Sequence, residues 1–166
     1  MELLIAFPVL ILAFIFQTTI IARFTLLNGM ADLMMLILIA WGLQEESKNA
    51  WMWAILGGLA IGFGSAAPWF IFPICYLILI AITTRFRSRI WQNPILAMMI
   101  ITTIGTFMIL GVEFTFLRLS GINLSFKESL TRTILPSMLL NLLLAFPVFW
   151  GMRETARLIY RTKNTS

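Results

Sequence analysis

The chain has 166 residues, of which 60% are hydrophobic and only 11% charged, with no histidine and one cysteine. That much apolar surface cannot be hidden inside a water-soluble core of this size, and the charge density is far too low for a disordered chain. The composition leaves an all-α, polytopic helical bundle embedded in a membrane, folded as a single domain over residues 1–166 with a basic tail at 153–166. It also removes chemistry: no His/Cys metal site, no Ser-His-Asp triad and no intrachain disulfide can be built. No cofactor is expected, and Cys75, inside an apolar run, reads as a buried bystander.

The first charge-free run, Leu3 to Ala22, has 20 residues, the length needed to cross a core of roughly 30 Å. It follows an acidic Glu2 and lacks a clean cleavage site, so it is expected to be a retained helix and not a signal peptide. The second run, Leu33 to Gln44, is short; a full crossing must reach back to Leu26 and carry Asp32 inside its first turns. From Asn49 to Thr84 there are 36 residues without a charge, nearly twice the core thickness as one helix. This predicts two helices joined near Ala66, Ala67, Pro68 and Trp69, with Pro68 opening the second and Pro73 kinking it. Ile90 to Val112 supplies a fifth span with Glu113 near its end. A polar, interfacial connection follows from Ser120 to Thr133, and the last span runs from Thr133 to Met152. Six spans are predicted, or five if the second run is only re-entrant.

Lysines and arginines set the orientation. With the amino terminus inside, eight lie on cytoplasmic segments (Lys48, Arg85, Arg87, Arg89, Arg153, Arg157, Arg161, Lys163) and four outside (Arg23, Arg118, Lys127, Arg132). The positive-inside rule then places both termini of a multi-pass protein in the cytoplasm. Basic residues at the ends of apolar runs fit anionic lipid headgroups and not nucleic acid, with Arg85, Arg87 and Arg89 as a membrane-surface cluster. Trp41, Trp51, Trp53, Trp69, Trp91 and Trp150 fall near predicted span ends, as interface anchors do.

Two features stand out as candidate sites. Ala54, Gly58, Gly62 and Ala66 recur every four residues and make one smooth helix face, suited to packing inside this bundle or to docking a partner's transmembrane helix. Asp32 and Glu113 are acids near the outer ends of two spans, where a carboxylate needs protein, water or a basic partner. Arg23 and Arg118 lie toward the same side, so ion pairs and a ligand or partner contact are the two readings. No nucleophile stands beside a base, so no catalytic residue is expected.

The layout resembles the MreD family, the membrane subunit of the bacterial rod-shape system. The resemblance rests on Asp32-Leu33 opening the second helix through Met34 to Leu43, the glycines Gly57, Gly58, Gly62 and Gly64 after an acidic loop, the Pro68 turn, Tyr76 and the arginines ending the hairpin. It covers Ala22 to Arg89, and the last two spans by hydropathy only. Ala31 and Ser65 stand where members of the family often have a proline and an acid. The resemblance implies a non-enzymatic scaffold that binds an MreC-like single-span protein. The assembly would include a RodA-type glycosyltransferase and its transpeptidase partner, and would direct lateral peptidoglycan synthesis. The family is also similar in size and helix number to the substrate-binding S components of energy-coupling-factor vitamin transporters, which supplies an alternative function. S components dock through an Ala-x-x-x-Ala motif in the first helix, whereas Ala6, Ala13 and Ala22 lack that spacing.

Overall fold

In a computed structural model, the structure describes residues 2–19, 23, 26–45, 47–65, 67–87, 93–123 and 125–163. The described residues form an all-α bundle with no sheet: α1 Glu2–Thr19, α2 Leu33–Gly42, α3 Ala50–Gly64, α4 Ile71–Arg87, α5 Pro94–Leu119, α6 Phe126–Ser129 and α7 Leu135–Lys163. A π-helical turn over Leu130–Ile134 joins α6 to α7 without a break.

The shortest long-range helix is the axis of the bundle. Nine of the ten residues of α2 are buried, Leu33 excepted, and α2 packs against α1, α3, α4, α5 and α7. A helix apolar on every side has no face to give to solvent, and here the protein itself takes all of them. Its ten residues rise only about 15 Å, half of a bilayer core. Two helices are long and apolar enough to cross a membrane, α5 and the continuous stretch Phe126–Tyr160, while Ala6–Thr19, α2 and α3 are apolar but shorter. Charge-free runs overstate helix length, because they count the turns that join helices.

Several expectations change for local reasons. The second helix does not extend back to Leu26. Leu26 and Gly29 close a tight turn with Leu27 at φ 56°, and Asp32 caps the helix from outside by accepting the Met35 amide at 2.9 Å. The carboxylate satisfies an orphan donor at the helix start, which is a better place for it than a helical turn at membrane depth. The α3–α4 turn falls where expected, but α4 opens at Ile71, three residues after Pro68. Pro73 therefore sits in the first turn of α4, where a missing amide hydrogen breaks no helical bond, and is not a mid-helix kink. The last helix runs on past Met152 to Lys163, so the basic residues expected in a tail extend α7 by three turns. Of the expected interfacial connection, Leu124 lies outside the described residues.

Trp41 and Trp53 are not interface anchors. Both are 0% exposed and stack with ring centroids 4.4 Å apart, and Tyr160 of α7 stacks on Trp41 at 6.5 Å. Trp51, Trp69 and Trp150 are exposed, as anchors should be, and Trp91 lies outside the described residues.

The α3–α4 hairpin explains the small-residue face. A Cβ on Gly58 would come within 2.5 Å of Pro73 Cα, and one on Gly62 would collide with the Trp69 carbonyl oxygen. The smoothness of α3 therefore lets the α4 backbone approach, and Ala54 continues the same buried face. At Gly58 and Gly62 that face is occupied by the α4 hairpin partner of the same chain; Ala66 lies outside the described residues.

Candidate functional site

Polar side chains in apolar helices converge at one end of the bundle, and Asp32 is their centre. Its Oδ2 accepts from Tyr76 Oη of α4 at 2.8 Å. Its Oδ1 accepts the Met35 amide and, at a long 3.5 Å, the Gln17 side-chain amide of α1. The Asp32 amide in turn donates to Asn141 Oδ1 of α7 at 2.7 Å, and Asn141 Nδ2 donates to Thr106 Oγ1 of α5 at 2.9 Å. Gln17 Oε1 also accepts the Met34 amide at 3.0 Å, a second orphan donor at the start of α2. One residue and its neighbours thus tie together α1, α2, α4, α5 and α7. In a medium where an unmade hydrogen bond is costly, such a network specifies how the helices register.

The loop before α2 is fastened to the start of α7 in the same way. Pro136 has no amide hydrogen to give to the Arg132 carbonyl one turn earlier, and that carbonyl accepts the Asn28 amide at 2.9 Å instead. The Met30 amide donates to Ser137 Oγ at 3.0 Å. Gly29 lies so close to Pro136 and Ser137 that a Cβ would meet the Ser137 amide nitrogen at 2.6 Å.

Beside this network lies a cavity of about 500 Å3. Gln17, Thr18, Asn28, Asp32, Glu113 and Ser137 give it a polar side, and Phe14, Ile61, Phe72 and Ile109 an apolar one. Asp32 and Glu113, expected on separate spans, are brought to the same cavity. Their expected arginine partners are not: among the described residues neither acid forms a salt bridge, and Arg23 and Arg118 are exposed. Neutral donors hold Asp32 instead: Tyr76 Oη at 2.8 Å, the Met35 amide at 2.9 Å and the Gln17 side-chain amide at 3.5 Å.

The opposite end of the bundle corrects the membrane-surface cluster. Arg87 turns inward, and its guanidinium donates to the carbonyls of Gln44 at 2.7 Å, Ser47 at 3.2 Å and Gly42 at 3.4 Å. A cation over the carboxyl end of α2 meets unsatisfied carbonyls and the negative end of the helix dipole. Arg85 is exposed, and Arg89 lies outside the described residues.

Gln17, Thr106, Ser137 and Asn141 escaped the sequence reading. A signal existed for two of them: Ser137 and Asn141 follow Thr133 at four-residue spacing in the last apolar run, so the three share a helix face. Polar residues inside a span are expensive and mark where it meets protein. Compared with known proteins, the chain matches no family model, no curated protein and no solved structure.

Proposed function

We propose that this chain is a non-enzymatic scaffold subunit of a bacterial inner-membrane complex, MreD-like in role, that binds an MreC-like single-span partner. In this reading it supports lateral peptidoglycan synthesis alongside a RodA-type glycosyltransferase and its transpeptidase. It crosses the bilayer several times, six by the count of apolar runs, with both termini in the cytoplasm. The short helix α2 then lies where protein, and not lipid, surrounds it.

The observation that supports this most is the use made of Asp32. It is the residue at the heart of the family resemblance, and its oxygens are committed to Tyr76 and to the amide that opens α2. A carboxylate so occupied holds helices in place. Outward-facing Phe7, Ile11, Ile15 and Phe16 give α1 an apolar face for lipid or a partner's helix. The test is capture: the purified protein should bring down a single-span partner from membranes of the parent cell, and Asp32→Asn should reduce the yield.

A second reading, a substrate-binding membrane subunit of the S-component type, is favoured by the cavity. A volume of about 500 Å3 with mixed polar and apolar walls is within the range of small-molecule sites. A vitamin co-purifying with the protein would support it.

A further inference from the structure

We propose that the cavity beside Asp32 is a binding site for a small organic cation, with Glu113 as the anchoring carboxylate. This goes beyond the scaffold reading and does not depend on it.

The charge of the walls comes first. Two carboxylates, Asp32 and Glu113, line the cavity, and among the described residues that line it none is basic. A negative ligand would meet repulsion in a poorly screened space, while a positive one would be drawn in. The two acids are not equivalent. Asp32 is tied to Tyr76, Met35 and Gln17. Glu113 has no hydrogen bond or salt bridge among the described residues, and it is only partly exposed. It projects from the same α5 face as Ile109, four residues earlier, which also lines the cavity. A protonated amine beside Glu113 would supply the charge-assisted hydrogen bonds that this carboxylate lacks.

The remaining walls define the rest of the molecule. Phe14 of α1 and Phe72 of α4 offer aromatic surface, with Ile61 and Ile109 beside them. Aromatic faces also favour a cation within about 6 Å. Thr18, Asn28 and Ser137 offer hydrogen bonds on the polar side. The ligand is thus an amine carried on an apolar, ring-sized body, and about 500 Å3 leaves room for it with bound water.

The experiment uses the full chain in detergent and three probes with one indole body: tryptamine, neutral 3-ethylindole and anionic indole-3-propionate. Binding is read by calorimetry and by the shift in unfolding temperature. Tryptamine should bind saturably and raise the unfolding temperature, and the neutral and anionic probes should bind at least about tenfold more weakly. Glu113→Gln should lose tryptamine affinity about tenfold or more, with an unfolding temperature near the parent's when no probe is present. Gly64→Leu offers an independent variant, because its Cβ meets only Phe14 ring carbons at 3.5 Å while its side chain narrows the cavity. It should weaken tryptamine in the same way. Absence of saturable tryptamine binding, equal binding of the neutral probe, or parental affinity in Glu113→Gln would each overturn the proposal. If Glu113→Gln does not fold, parental tryptamine affinity in Gly64→Leu overturns it instead.

Discussion

Tyr76 Oη donates a 2.8 Å hydrogen bond to Asp32 Oδ2, joining two residues 44 positions apart and fixing the start of α2 against α4. Both belong to the pattern on which the MreD resemblance rests, and the bond shows one physical task they share. Tyr76 is fully buried, so its hydroxyl has no water to turn to if the carboxylate is lost.

The Asp32–Tyr76 pair should therefore behave as a unit. Tyr76→Phe removes the donor and should cost about 1–3 kcal/mol of stability, and Asp32→Asn a similar amount. The double variant should cost less than the sum, because each single change already breaks the shared bond. Unfolding of the four proteins in one detergent measures the cycle, and strict additivity would deny the coupling.

Leucine on the α3 face should cost far more than leucine at a glycine with open space around it. Gly58→Leu and Gly62→Leu drive a side chain into the Pro73 and Trp69 backbone, which cannot retreat as a side-chain tip can. Each should cost about 3 kcal/mol or more, at the upper end of overpacking penalties. Gly151→Leu is the control, since nothing lies within 4 Å of the added carbon. Equal thermal stability of all three would refute the close α3–α4 approach.

Arg87 should be worth more than a surface arginine. Arg87→Ala removes the guanidinium from the Gly42, Gln44 and Ser47 carbonyls, leaving Gln44 only the Ser47 amide at 3.2 Å, and the loss should be about 1.5–3 kcal/mol. Arg87→Lys should recover only part, because one ammonium cannot reproduce the guanidinium fork. Arg118→Ala, at an exposed position, should change stability by less than about 0.5 kcal/mol.

Topology gives a further prediction. Reporter fusions placed after Arg89 and after Lys163 should both read cytoplasmic, from the eight-to-four distribution of basic residues. A periplasmic signal at either position would reverse or reduce the proposed set of crossings.

The helical class, the α3–α4 turn and the special place of Asp32 were legible in the residues themselves. Hydropathy reports apolar content, and a proline between two apolar runs reports a turn. What hydropathy cannot report is which apolar surface meets protein and which meets lipid. Hence Trp41 and Trp53 read as anchors although they stack in the core, and the second helix read as reaching back to Leu26 although it is a ten-residue axis. Asp32 and Glu113 were visible as misplaced acids, but their shared cavity depends on α1, α3, α4, α5 and α7 meeting beside the α2 cap. Arg87 looked like part of a surface cluster because the carbonyls it caps lie some 40 residues away in sequence.

The central claim is that the protein works by holding partners together, so assembly and function must fall in step. The direct measurement is cell shape together with co-purification of the MreC-like partner, in cells whose only copy is the parent, Asp32→Asn, Glu113→Gln or Gly58→Leu. The account predicts that rod shape is lost only where the partner is lost, most with Gly58→Leu and least with Glu113→Gln. A variant that keeps the whole complex yet loses rod shape completely would contradict it.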